Sequence, residues 1–250
     1  MSCSLPPELL DLIVEHLRDE PTTLKACCIV SKSWISRIRK YLFARIRIRS
    51  PERIIQLWKQ TFPDPSNSLA HYTRTIYFLK FDSSALASPD VVGWIRSFHH
   101  VEDLSLDFLG QGNYDDFHVK LRGFSSTLRS LSLANSVVAL SRIFNFISSF
   151  PLLEDLALVM CLTNDTGEWI SPSAPPRFTG SLRVTGVLPS IARWLCARPG
   201  GLHFRKIDLT LLTNETTSIM DLVLKCSNTL ESLAISSCDL GAFIVASAFS

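Results

Sequence analysis

The chain contains no CxxC pair, which removes the common zinc-finger and thioredoxin spacings. Its seven cysteines, Cys3, Cys27, Cys28, Cys161, Cys196, Cys226 and Cys238, are odd in number, and no disulfide framework is legible in them. Most stand among apolar neighbours, where a free thiol behaves as a small hydrophobe, so a reducing compartment is expected. GxGxxG, P-loop and GxSxG motifs are absent, leaving dinucleotide, P-loop and α/β-hydrolase chemistry without a foothold. His99 and His100 are adjacent rather than four apart, and Asp115-Asp116 lacks the spacing of a calcium loop. The expectation is a protein that is not an enzyme and that uses no metal or cofactor.

Targeting signals are equally scarce. The opening Met1-Ser2-Cys3-Ser4-Leu5-Pro6-Pro7-Glu8 has no basic stretch followed by an apolar one, so no secretory leader is read there. The nearest thing to a membrane span, Leu240 to Phe249, is ten residues long, too short to cross. A cytoplasmic or nuclear location is expected, with the sequons at Asn164 and Asn214 fortuitous.

Charge is also sparse. Lys and Arg total 25 against 23 Asp and Glu, for a net charge of +2, which makes no electrostatic case for nucleic acid. The excess is local: residues 1–49 carry nine Lys/Arg and five Asp/Glu, mainly through Arg37, Arg39, Lys40, Arg45, Arg47 and Arg49. This is either a solvated basic face or a contact surface for an acidic partner. With 46% hydrophobic residues, 19% charged residues and a mean hydropathy of +0.21, the chain folds and must bury much of its length in a regular way.

Three short amphipathic helices are predicted within residues 1–42. Leu5-Pro6-Pro7-Glu8-Leu9-Leu10 opens the first, because proline is tolerated in a first turn where its missing N–H is not needed. Leu9, Ile13 and Leu17 then recur at near-helical spacing, with Leu10 and Val14 beside them. Asp19-Glu20-Pro21 interrupts the pattern. Leu24, Cys27, Cys28 and Val30 mark a second helix after Thr22-Thr23, and Trp34, Ile38 and Leu42 a third from about Ser33. No solvated recognition helix stands out, which argues against a helix-turn-helix reader of DNA.

This segment resembles the F-box motif: a Leu-Pro-x-Glu-Leu-Leu opening, later Ile and Leu, then Val-Cys-x-x-Trp. The chain supplies Leu5, Pro6, Glu8, Leu9, Leu10, Ile13, Leu17, Leu24, Val30 and Trp34 in that order. Ser31 stands where the motif often has Cys, and the Asp-Glu-Pro turn is longer than the commonest form. The variant is similar to F-box-like proteins of mushroom-forming fungi. The resemblance implies docking to the small Skp-type adaptor subunit of a cullin ubiquitin ligase. It divides Leu5, Pro6, Leu9, Ile13, Leu17, Val30 and Trp34 between that interface and the module's own core.

Residues 43–250 carry a period. Apolar triplets spaced x, x+3, x+5 occur at Phe43/Ile46/Ile48, Thr73/Ile76/Phe78, Val101/Leu104/Leu106, Leu128/Leu131/Leu133 and Leu153/Leu156/Leu158. Thr179/Leu182/Val184, Phe204/Ile207/Leu209 and Leu230/Leu233/Ile235 complete the set. Their middle positions recur every 25 to 30 residues, a rhythm that marks a repeat. Alternate residues of a strand share a face, so the second and third members point inward together. Three residues further on come Phe81, Leu109, Ser136, Cys161, Val187, Leu212 and Cys238. This resembles the leucine-rich repeat, whose buried ladder position takes Asn or Cys.

Helical patterns lie between the strands: behind Ser88-Pro89-Asp90, over 139–150, over 190–197 and over 216–226. Two segments, 60–68 and 163–179, read as loops. The predicted fold is α/β, a three-helix F-box module over 1–42 packed on a right-handed leucine-rich-repeat αβ solenoid over 43–250 of about eight strand–helix units. The apolar end, Gly241 to Ser250, has no polar capping repeat, so a truncated chain or one completed by a partner is expected.

On such a fold the residues between the buried strand positions line the concave face. Arg47, Tyr77, Ser105, Asp107, Ser132, Arg183 and Asp208 are the candidate contacts for a target protein, since a mixed-charge strip with one aromatic suits protein more than a phosphate backbone. The competing reading is a repeat scaffold with no ligase role.

Overall fold

The computed structural model describes residues 6–49, 51–61, 69–81, 88–108, 121–124, 126–135, 140–161, 176, 178–186, 188–197, 201–211, 217–237 and 243–247. The chain is an α/β protein.

It begins with three helices, α1 (Pro7–His16), α2 (Pro21–Val30) and α3 (Lys32–Leu42). Both α1 and α2 start on proline, which suits a first helical position. The Ser31 hydroxyl caps α3 by accepting the Ser33 N–H at 3.3 Å. Val14, Leu24 and Ile38, one from each helix, are fully buried together. Leu17, Cys27, Cys28, Trp34, Tyr41 and Leu42 pack half-buried around them. The predicted run Trp34, Ile38, Leu42 is thus the inward stripe of α3. Arg37 of α3 reaches Asp11 of α1 at 3.2 Å.

Among the described residues, one sheet of nine strands follows, in chain order from β1 to β9. They are β1 (Arg45–Ile48), β2 (Thr75–Phe81), β3 (Asp103–Phe108), β4 (Ser130–Ala134), β5 (Asp155–Cys161), β6 (Ser181–Gly186), β7 (Lys206–Leu211), β8 (Ser232–Ser237) and β9 (Phe243–Ser247). The first eight run parallel; β9 pairs antiparallel with β8.

The register turns the sequence period into geometry. Ile46, Ile76, Leu104, Leu131, Leu156, Leu182, Ile207 and Leu233 stand opposite one another across eight strands. Ile48, Phe78, Leu106, Leu133, Leu158, Val184, Leu209 and Ile235 form a second row in step with it. Both rows face a core shared with α4 (Pro51–Thr61), α5 (Pro89–Arg96), α6 (Leu140–Ser148), α7 (Leu188–Cys196) and α8 (Thr217–Cys226). The sequence reading did not anticipate α4. Trp194 of α7 lies flat on Phe144 of α6, ring centres 4.0 Å apart. That contact joins the helices on either side of β5 and β6.

The lead positions of the triplets are mostly buried, but the sixth differs from expectation. Thr179 is exposed, and Phe178 is buried in its place, with a positive φ of 43°. Phe178 packs on Phe204, centroids 5.1 Å apart. A left-handed backbone at Phe178 lets the bulky ring, rather than the small hydroxyl beside it, enter the core. Threonines knit the leads of successive units: Thr73, Thr127 and Thr229 donate to the carbonyls of Phe43, Val101 and Phe204 at 2.9, 2.7 and 3.2 Å.

Just ahead of β3, β4, β5 and β8, one carbonyl accepts two N–H groups from the incoming unit. Arg74 O receives Glu102 and Asp103; Glu102 O receives Arg129 and Ser130; Arg129 O receives Glu154 and Asp155; Arg205 O receives Glu231 and Ser232. The side chains on this line alternate in sign: Arg74, Glu102, Arg129, Glu154, then Gly180, then Arg205, Glu231. Arg74–Glu102, Arg129–Glu154 and Arg205–Glu231 are ion pairs at 3.7, 2.5 and 3.7 Å.

Candidate functional site

Two surfaces stand apart from a simple packed fold. The first is a set of exposed apolar side chains on the three-helix module. On α1, Leu9 is 47% exposed, Leu12 62% and Ile13 37%. At the end of α2, Ile29 is 87% and Val30 81% exposed. Exposed apolar groups on a unit this small contribute nothing to its core and mark an interaction surface when they cluster. Of the predicted docking residues, Pro6, Leu9, Ile13 and Val30 are exposed, whereas Leu17 and Trp34 pack on the module's core. Leu5 lies outside the described residues. Leu12 and Ile29 were missed; Leu12 follows Leu9 by three positions, which puts both on one side of a helix.

The second surface is the outward face of the sheet. Its central row is Arg47, Tyr77, Ser105, Ser132, Ala157, Arg183, Asp208 and Ala234, one residue per strand and in register. The expected mixed-charge strip is largely paired within itself. The Arg47 guanidinium lies 5.7 Å from the Tyr77 ring centre. Arg183 contacts Asp208 at 3.0 Å. Asp107 accepts from the Asn135 side chain at 2.7 Å. Ser105 and Ser132 form a shallow stretch between the charged ends.

Strands β4 to β8 frame a groove of about 420 Å³ on this face, lined among others by Asp155, Ala157, Ser181, Arg183, Lys206 and Asp208. That volume falls in the range of ordinary ligand sites. Arg183 and Asp208 therefore share a site, while Arg47, Tyr77, Ser105, Asp107 and Ser132 lie along the face outside its lining.

The groove sits where the hydrogen-bonding pattern between units breaks. At every other step described above, the second N–H of the incoming strand goes to a carbonyl. At the β5/β6 step, Ser181 gives both its N–H and its hydroxyl to Asp155 Oδ1, at 2.5 and 2.6 Å. Glu154 O keeps only the Gly180 N–H, at 3.1 Å. A charged side chain has replaced a backbone acceptor, and charge-assisted bonds of this kind are the stronger ones.

Among the described residues, no cluster of three or more His, Cys, Asp or Glu could hold a metal ion. Cys226 is buried in the core, and burial pushes its thiol up to about 11. Cys196 is raised in the same direction by burial, opposed by the nearby Lys225 ammonium. Both lie at helix ends away from the groove lining. The side chains of Phe81 and Cys161 and all of Leu109, Ser136, Val187, Leu212 and Cys238, the ladder positions, lie outside the described residues. No described helix is long and apolar enough to cross a membrane.

No protein-family model matches this chain, and no curated protein matches it either.

Proposed function

We propose that the chain is a substrate-recognition adaptor of a cullin-based ubiquitin ligase, an F-box module joined to a leucine-rich-repeat solenoid. The observation that carries the reading is the exposure of Leu9, Leu12, Ile13, Ile29 and Val30 on a three-helix unit whose own core is complete without them. These side chains would bury against the Skp-type adaptor subunit. The in-register strand rows support the repeat reading, since stacked single units that cannot bury their apolar face alone are what such a period encodes.

The mechanism is positional. One end holds the ligase and the outward strand face holds the target. Transfer to a target lysine then gains from raised effective concentration, with no catalytic group from this chain. Such a role places the protein in the cytoplasm or nucleus.

The test is co-purification with the adaptor subunit, beside a Leu9→Asp/Ile13→Asp variant checked for folding by circular dichroism. A stable complex, lost in a folded variant, is expected. Well-folded wild-type protein that captures no adaptor would overturn the ligase reading.

A further inference from the structure

In the groove, Arg183 and Asp208 neutralise each other, but two charged groups remain. Among the described residues, Asp155 is held by Ser181 alone, through one of its two oxygens, and forms no ion pair. Lys206 is exposed at the groove and has no ion-pair partner among the described residues. The two do not meet. Asp155 is on β5 and Lys206 on β7, in the row that precedes the central one, with Ser181 of β6 between them.

Strands in a sheet lie about 4.8 Å apart, so backbone positions two strands apart are separated by roughly 10 Å. A chain in the polyproline-II conformation advances about 3.1 Å per residue with three residues to the turn, so side chains three apart share one face about 9 Å from each other. A segment crossing the strands therefore brings side chains about three residues apart over these two positions. The floor leaves it room: Ser130, Ala157, Ser232 and Ala234 are all small. Filling the groove would dry both charges, and a desolvated charge must be paired.

We infer that this groove binds a peptide in the polyproline-II conformation carrying one basic and one acidic side chain three residues apart, the basic group on Asp155 and the acidic group on Lys206. The inference rests on the strand face being the target-binding face of the proposed function, and it names the class of segment that face selects. A uniformly acidic or uniformly basic segment would satisfy one position and oppose the other. Selection thus comes as much from repulsion of the wrong pattern as from attraction of the right one.

The full chain would be titrated, by fluorescence polarisation, with labelled peptides of an alanine–proline background, which favours the polyproline-II conformation. Lys-x-x-Glu and Glu-x-x-Lys, covering both chain directions, would be compared with Lys-x-x-Lys, Glu-x-x-Glu and an adjacent Lys-Glu pair. One mixed-sign peptide with the wider spacing is expected to bind about tenfold tighter than the same-sign peptides, as for a single well-formed charge pair. In Lys206→Glu, with folding checked by circular dichroism, the preference should pass to Lys-x-x-Lys. A response that does not depend on sign or spacing, the lack of any binding included, overturns the inference, and so does a preference unchanged by Lys206→Glu. Adaptor capture scored on the same preparations keeps the two readings apart. Peptide selection without adaptor capture defeats the ligase role and leaves the groove; adaptor capture without peptide selection does the reverse.

Discussion

The Asp155 carboxylate occupies the space that a Cβ on Gly180 would need. A methyl built there meets Asp155 Oδ1 first and the carboxylate carbon next, at 2.8 Å. Because that oxygen is fixed by two donors of Ser181, it is not a floppy tip that can swing aside.

Gly180→Ala should therefore destabilise the fold by about 1–3 kcal/mol, the usual cost of forcing a group into a filled space. In an Asp155→Ala background the added cost should shrink towards zero. Chemical denaturation of the four variants measures the coupling. Equal costs in both backgrounds would refute the steric account.

The three-helix module should separate surface from core. Ile29→Asp/Val30→Asp removes two side chains that are almost fully exposed, so stability should change by less than about 0.5 kcal/mol. Trp34→Ala strips a half-buried ring from the edge of the Val14, Leu24 and Ile38 cluster and should cost about 3 kcal/mol. Helical circular dichroism against denaturant reads both. Severe unfolding of the first variant would show that these positions are structural.

The Phe144–Trp194 stack, with rings only 6° from parallel, should behave as a clasp between α6 and α7. Trp194→Ala is expected to cost about 3–5 kcal/mol. The pairwise coupling of the two rings, from a double-mutant cycle with Phe144→Leu, should be about 1 kcal/mol. A coupling indistinguishable from zero would reduce the stack to ordinary burial.

Burial raises the Cys226 thiol from 9.0 to about 11. Below about pH 9 the thiol is protonated in folded and unfolded chains alike, and its full contribution is present. Above that, the unfolded chain releases the proton while the folded one keeps it. Stability should fall as pH rises from about 9 to about 11, through this group. Cys226→Ala should flatten that part of the pH–stability curve relative to wild type. An unchanged slope would mean that the thiol titrates normally in the fold.

Much of the sheet was legible in the sequence because it obeys one rule repeated: two alternate apolar residues per strand. The middle residues of the eight triplets became the central buried row without a slip, since a one-residue shift would have turned a whole strand inside out. The sixth lead position was misread because spacing pointed at Thr179 while side-chain volume decided for Phe178. Helix α4, eleven residues long, went unread, overshadowed by the proline-containing stretch behind it. The apolar segment 243–247, read as an unfinished end, pairs antiparallel along β8.

The site was less legible than the scaffold. Alternation told which residues face outward, and so Arg183 and Asp208 were found. It could not tell that they pair, because partners 25 residues apart meet only through the register. Nor could it distinguish Asp155, whose bond to Ser181 replaces a backbone contact that every neighbouring unit makes with a carbonyl. On α1 and α2, an apolar residue reads the same whether it serves the module's own core or a partner's, and only packing separated Leu17 from Leu12.

The alternation of Arg74, Glu102, Arg129 and Glu154 along the line ahead of the strands gives the array a parity. Excising one unit would bring Arg74 beside Arg129, or Glu102 beside Glu154, and turn attraction into repulsion. Excising two adjoining units preserves the order of signs. At Gly180 the parity changes, because Glu154 and Arg205 on either side are opposite: removing that unit alone brings them together, whereas removing it with a neighbour brings Arg129 beside Arg205 or Glu154 beside Glu231. Ahead of Gly180, therefore, the module by which this protein can be shortened, lengthened or spliced without electrostatic penalty is the couple of units; at Gly180 it is the single one.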